Sequence, residues 1–281
     1  MNIRFIIACL AAAAGVQQAA GGTVTPYTNA SGLACVTGPD PLVFNRCVYG
    51  TDINTTLPAG TGTMTMSANS QSGYGVLRAS TALSFTGSNT RAYGLASNFA
   101  NFLDIITIGF PSGTGSEGNL LLGFTLDGTN TASSGYLAQA RVLAVIDPGL
   151  SGNGQSYELY FTEPAVSGMF FFPTTFTFVY GQPFSLTFQL TDQCTNAGFG
   201  PGNQGTAPGI CVSDFSNTLI LSALDVVDSQ GNPINGVTFS SESGTQYSAN
   251  GVVPEPSTFG LLATALVSLG AIRCKMRRRK I

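Results

Sequence analysis

The sequence predicts an all-β body, a two-sheet sandwich with jelly-roll-like layering, flanked by an N-terminal signal helix and a C-terminal transmembrane helix. Three observations predict it. Apolar residues recur at every second position in short runs. The cleanest is Phe184-Ser185-Leu186-Thr187-Phe188-Gln189-Leu190, where Phe184, Leu186, Phe188 and Leu190 form a core face and Ser185, Thr187 and Gln189 face water. Turn chemistry interrupts the chain at close spacing, with 35 glycines and 14 prolines in 281 residues. No window of residues 23–253 carries the apolar period of an amphipathic helix. Roughly twelve to fourteen short strands separated by turns fold most simply as two packed sheets.

Taken in order, the chain opens on Arg4, an apolar run over residues 5–14, and small residues through Ala19-Ala20-Gly21-Gly22. That is the layout of a secretory signal peptide, residues 1–22. Residues 23–58 are turn-rich, with Pro39-Asp40-Pro41 leading into Leu42-Val43-Phe44. Met64 and Met66 alternate with threonines over 63–68, and short strands follow at 75–80, 82–85 and 90–96. Over 101–110, Phe102, Asp104, Ile106, Ile108 and Phe110 share one parity. A strand at 120–126 runs into an Asp127-Gly128 turn, and one at 138–146 into Asp147-Pro148-Gly149. After a strand at 157–161, Phe170, Phe172, Phe176 and Phe178 alternate through 169–180, interrupted by Pro173, which marks an edge strand or a bulge. Residues 192–209 read as a long loop, 217–227 and 237–240 as strands joined by a turn from Asp228 to Pro233, and 241–253 as a polar stalk. The sandwich is thus expected over residues 23–240.

Four arginines (46, 78, 91 and 141) stand against nine aspartates and four glutamates in residues 23–253, a net charge of −9 without a single lysine. Such a surface offers no basic stripe and excludes nucleic acid as a partner. In an exported chain the four cysteines of this region read as disulfides. Nearest-neighbour pairing gives Cys35–Cys47 and Cys194–Cys211, closing 12- and 17-residue separations. Zinc is disfavoured, because neither couple has Cys-x₂₋₄-Cys spacing and histidine is absent from the whole chain. The missing histidine also removes Ser-His-Asp and Cys-His nucleophile systems. No cofactor is expected. The one metal with a chemical case is a structural calcium among the oxygens of residues 192–214, although no Asp-x-Asp-x-Asp-Gly spacing occurs there. Asp104, Glu158 and Glu163 are the candidates for a carboxylate pair of the kind that hydrolyses glycosides. For Asp104 the simpler expectation is a strand-end acid bonded to backbone or solvent.

The last segment has three parts in fixed order. Pro254, Glu255 and Pro256 form an extended segment that resists helix. Residues 257–272 carry no charge, and Arg273, Lys275, Arg277, Arg278, Arg279 and Lys280 form a basic stop. As a helix this sixteen-residue run rises only ~24 Å, short of the ~30 Å hydrocarbon core, which favours a transient anchor over a permanent one. This order resembles the PEP-CTERM sorting signal of Gram-negative bacteria, and the resemblance covers residues 253–281. It implies that a membrane-embedded cysteine transpeptidase, an exosortase, recognises Pro254 to Pro256. The tail would then occupy the inner membrane transiently, before the chain reaches the cell surface or extracellular matrix. Segments such as 103–108, 183–190 and 212–218 are loosely similar to uncharacterised extracellular regions that precede such tails. The expectation is an exported, non-catalytic surface or matrix protein associated with exopolysaccharide or biofilm. The alternatives are a carbohydrate- or ligand-binding module and a carboxylate-dependent glycan hydrolase or lyase.

Overall fold

Period-2 burial marks most of the strands, while residues 94–106 and 184–190 are buried on both faces. In the computed structural model, residues 24–37, 44–59, 62–87, 93–110, 115–196, 208–248 and 251–252 are described, and among them every regular element is a strand. One sheet contains β1 (Tyr27–Thr37), β2 (Phe44–Gly50), β6 (Gly94–Gly109), β8 (Tyr136–Pro148), β9 (Gln155–Phe161), β12 (Pro183–Asn196) and β14 (Thr238–Ser241). The second contains β3 (Asp52–Ala59), β4 (Gly62–Gly73), β5 (Val76–Thr86), β7 (Glu117–Ala132), β10 (Ala165–Phe171), β11 (Phe176–Val179) and β13 (Gly209–Val227). A two-strand ribbon of β15 (Tyr247–Ser248) and β16 (Gly251–Val252) ends the described chain. The all-β expectation holds. The expected signal helix at 1–22 and membrane helix at 257–272 lie outside the described residues. Within the described residues no helix is long and apolar enough to cross a membrane.

The first sheet has the order β2-β1-β6-β12-β8-β9, with β14 also on β6, and the second β10-β7-β13-β5-β4-β3, with β11 on β7. β5, β6, β7 and β8 alternate between sheets. β12 then enters between β6 and β8, and β13 between β5 and β7, so the last two long strands supply a central strand to each sheet. The Cys194–Cys211 disulfide joins these two strands across the sandwich with Cα atoms 5.7 Å apart, whereas Cys35–Cys47 links directly opposed residues of β1 and β2 at 4.2 Å. Both expected pairings are present.

Inward residues form two apolar clusters. The larger holds nine buried phenylalanines, among them Phe102, Phe124, Phe188 and Phe215; the smaller is built from Ala34, Val36, Met64, Met66, Ala68, Leu83 and their neighbours, with both Cys194 and Cys211. Between them lies a polar layer one residue thick on each central strand. Asn98 separates Ala96 from Ala100, Asp192 separates Cys194 from Leu190, Thr81 separates Leu83 from Ala79, and Ser213 separates Cys211 from Phe215.

Several expectations change. Residues 27–37 and 44–59 are strands, because small and polar residues suffice where β1 lies in continuous register on β6. Asp127-Gly128 sits inside β7, and Gly128 is needed because a Cβ there would overlap the Phe215 ring. Residues 192–196 of the expected loop at 192–209 are strand instead, since β12 continues to Asn196 with Asp192 and Cys194 still facing inward, and residues 197–207 lie outside the described residues. Ser185, Thr187 and Gln189 are buried on their own face, where Leu103 and Val145 flank Thr187 from the neighbouring strands. β13 reverses its inward parity after a register shift between Leu221 and Ala223, so that Leu219 and Leu221 give way to Leu224 and Val226.

Candidate functional site

Both ends of the described body meet on one edge of β6. β1 places Tyr27 opposite Leu103, and β14 takes up the same edge with Ser241 opposite Ile106. Asp104 falls between the two and is fully buried. Its Oδ1 accepts the N–H groups of Ile105 at 2.8 Å and Ser243 at 3.2 Å, while its Oδ2 accepts the hydroxyls of Ser243 and, at 2.8 Å, Tyr247. Hydrogen bonds to a charged acceptor are among the stronger ones in proteins. The Tyr247 ring is itself buried in the phenylalanine-rich cluster. Burial first, and the Asp104 charge second, push the phenol far above its ordinary range, so it stays a donor.

This arrangement corrects two expectations. Asp104 is a mid-strand acid saturated by hydrogen bonds rather than a strand-end group, and the hydrogen bonds it accepts come from backbone N–H groups and hydroxyls. Residues 241–248 dock on the body instead of forming a stalk. The polar composition that suggested solvent is the chemistry that clasps Asp104, and Thr245 closes the loop by donating its N–H to Ser243 Oγ at 3.2 Å. Tyr247 then pairs with Val252, and Ser248 with Gly251.

The second buried acid, Asp192, has no such support. It is fully buried and neither carboxylate oxygen has a hydrogen-bond partner. Burial first, and the charge of Asp214 second, raise its pKa well above the carboxylate range. The Phe215 N–H offsets part of this without closing a bond of normal geometry. Its neighbours in the polar layer are similarly underused: the Asn98 Oδ1 and Thr81 Oγ1 atoms lack partners, although the Asn98 amide donates to the carbonyls of Ser80 and Asn69 across the sandwich. Sequence reading placed Asp192 at the start of a loop, and only the parity it shares with Leu190 and Cys194 could have shown it inside.

The remaining predicted residues do not converge. Glu158 lies in line with Asn101, three strand steps or about 14 Å from β6, and faces out where Asp104 faces in. It pairs instead with Arg141 at 3.2 Å. Exposed Glu163 accepts the Thr162 N–H at 3.0 Å. Asp147 accepts from Ser151 and Gly152, and Asp228 from Gln230 and Asn232, as turn chemistry requires; the bonds from Asn232 hold the Asp228 pKa below its usual value. Asp214, expected among calcium ligands with Asp192, is exposed and caps Ser216 on the outer face. Among the described residues no three acidic or cysteine side chains gather as a metal site. A shallow depression of about 340 Å³ is lined by Leu143, Ser156, Tyr157 and Glu158. Beside it Tyr160 is 49 % exposed next to the Arg141–Glu158 pair.

Pro254, Glu255, Pro256 and the six basic residues lie outside the described residues. Residues 252–279 match the PEP-CTERM protein-sorting motif, so the resemblance read from the tail is upheld. No curated protein matches the chain. The motif marks an exported chain that passes through the membrane and is processed by an exosortase. Its first residue, Val252, is also the last residue of β16.

Proposed function

We propose that this chain is an exported, non-catalytic surface or matrix protein, delivered by its PEP-CTERM signal and built to persist among extracellular polysaccharide. The observation that carries the reading is the junction at Val252, where a disulfide-tied sandwich passes directly into a sorting motif. Pro254, Glu255 and Pro256 are the recognised residues, residues 257–272 occupy the inner membrane transiently, and the basic residues from Arg273 to Lys280 stay on the cytoplasmic side. The net charge of −9 over residues 23–253, with a surface rich in hydroxyls and amides, suits a hydrated saccharide matrix of a Gram-negative cell surface. No cofactor is assigned. The test is to replace Pro254-Glu255-Pro256 by alanines and follow the chain by fractionation and intact mass. Retention of the tail and of the chain in the inner membrane is expected; unchanged processing overturns the reading.

One observation favours a second reading, a carbohydrate-binding module. Tyr160 presents half of its ring beside a charged pair, which is how sugar faces and hydroxyls are met together. Binding on a glycan array that disappears in Tyr160→Ala would establish it.

A further inference from the structure

An edge strand offers its unpaired main-chain groups to any other strand, and proteins blunt such edges with charge or proline. Four strands end the two sheet orders. β2 carries Arg46, β9 carries Glu158, and β3 carries both Asp52 and Pro58. β10 carries neither charge nor proline. Its register fixes which groups are free. The Pro164 carbonyl accepts from Asn130 and the Phe172 N–H donates to Leu122, so the even-numbered residues exchange their bonds with β7. Ala165, Ser167, Met169 and Phe171 therefore turn their N–H and C=O groups to the open edge, where no described strand lies. The same four residues are exposed, Met169 at 50 % and Phe171 at 42 %. Ile220 extends this apolar surface along the row of Met169, through Thr125.

We propose that β10 pairs with β10 of a second copy of this chain, antiparallel about a two-fold axis at Gly168, so that the second sheet runs continuously through a homodimer. Ala165 faces the partner's Phe171, Ser167 faces the partner's Met169, and the two Gly168 residues meet on the axis. The strands overlap over their full length, and their open-edge residues supply about eight ladder bonds. Gly168 suits the axis. The pair there is the close, non-hydrogen-bonded kind, with Cα atoms about 4.5 Å apart, and nothing in the chain lies within 4 Å of where its Cβ would stand. Charge selects a second copy as the occupant. With a net charge of −9 over residues 23–253, two copies can meet only through a surface free of opposed carboxylates. The acid in register with β10 is Asp127, beside Ser167. In this pairing the two Asp127 residues are three strand spacings apart and offset along the strands, about 16 Å in all, beyond the ~8 Å screening length of physiological salt. Glu163, which precedes the strand, falls farther still from its mate. The contact is isologous and closes at two copies.

The test uses the full chain in a mild detergent. Sedimentation over about a hundredfold range of concentration around micromolar should show a monomer–dimer equilibrium. Met169→Glu places a carboxylate in the seam, two strand spacings from the partner's Asp127. It is expected to weaken association by about tenfold or more, with the melting temperature of the dilute chain little changed because the side chain is on the surface. Cysteine pairing reads the register. Ser167→Cys and Met169→Cys chains, mixed and oxidised, should give the mixed covalent dimer in preference to either homodimer, since Cα atoms directly opposed at about 5.5 Å are within disulfide reach. A native chain that stays monomeric overturns the inference. So does a dimer that Met169→Glu leaves intact, which would be held through another surface. Cysteines that couple without preference, or that capture a different protein in place of the second copy, overturn it as well.

Discussion

The two apolar clusters are held by different means. The larger has nine buried phenylalanines, and Phe124 of one sheet alone lies within ring contact of Phe161, Phe170, Phe172 and Phe188, at centroid distances of 6.2, 5.8, 5.3 and 5.9 Å. The smaller has a single phenylalanine, Phe85, and relies on alanine, methionine and valine. It is also the cluster that contains the inter-sheet disulfide, and β1, which contributes Ala34 and Val36 to it, carries the other. Close approach replaces bulk there: a Cβ at Gly94 would overlap the Met64 sulfur. Apolar burial scales with side-chain area, so a cluster of small residues gains less from the hydrophobic effect. Covalent cross-links supply the difference by restricting the unfolded chain. The clasp and the sorting motif are attached to the aromatic half, the one that needs no oxidation to hold.

The contrast can be broken from either side. The largest effect is expected for Phe124→Ala, which empties the centre of the aromatic half and should cost about 3–5 kcal/mol in denaturant unfolding. Cys194→Ala with Cys211→Ala should cost about 3 kcal/mol, given the 17-residue separation. Amide exchange distinguishes the two. The cysteine variant should lose protection first in β4 and β5 around Met64, Met66 and Leu83, with Leu120 to Leu126 still protected. Uniform loss across both halves would mean that the clusters form one cooperative unit and that the contrast has no energetic content.

Asp192 tests the boundary itself, with the opposite sign. In the unfolded chain its carboxyl titrates near ~4, and in the fold burial raises that value. An acid with a raised folded pKa contributes its full stability below the unfolded value, and that stability is lost as pH rises through the folded value. Asp192→Asn should therefore melt with the wild type in acid and above it at neutral pH. A constant difference at all pH values would show that the carboxyl does not titrate with folding.

How much of this was legible depended on whether polar residues interrupted the pattern. Phe184 to Leu190 declared a strand because bulky apolar residues alternate there. The cysteine couples were readable because each is close in sequence and no histidine competes. Asp192, Asn98 and Thr81 were not, since a period-2 reading stops where a polar residue takes an inward position, although the strand continues. Asp127-Gly128 failed for a related reason: the dipeptide suits a turn, but here the glycine makes room for Phe215, which is 87 residues away. The Asp104 clasp was invisible for the same cause of distance, because Ser243 and Tyr247 lie 139 and 143 residues from the acid they bind. Serine and threonine beside a sorting tail are as consistent with a solvated stalk as with a set of donors until their acceptor is known.

The smallest effect is expected outside the sandwich at the same level as the polar layer. Arg141 follows Ala140, which stands opposite Asp192, and its guanidinium reaches Glu158 at 3.2 Å on a face where the two side chains are 20 % and 43 % exposed. Water and salt screen such a pair, so Arg141→Ala should cost no more than about 1 kcal/mol, and less as ionic strength rises. Amide protection in both halves should be unchanged. If it fell in one half alone, the two clusters would be coupled through the outer face, and the layer of Asn98, Thr81, Asp192 and Ser213 could no longer be regarded as the seam between them.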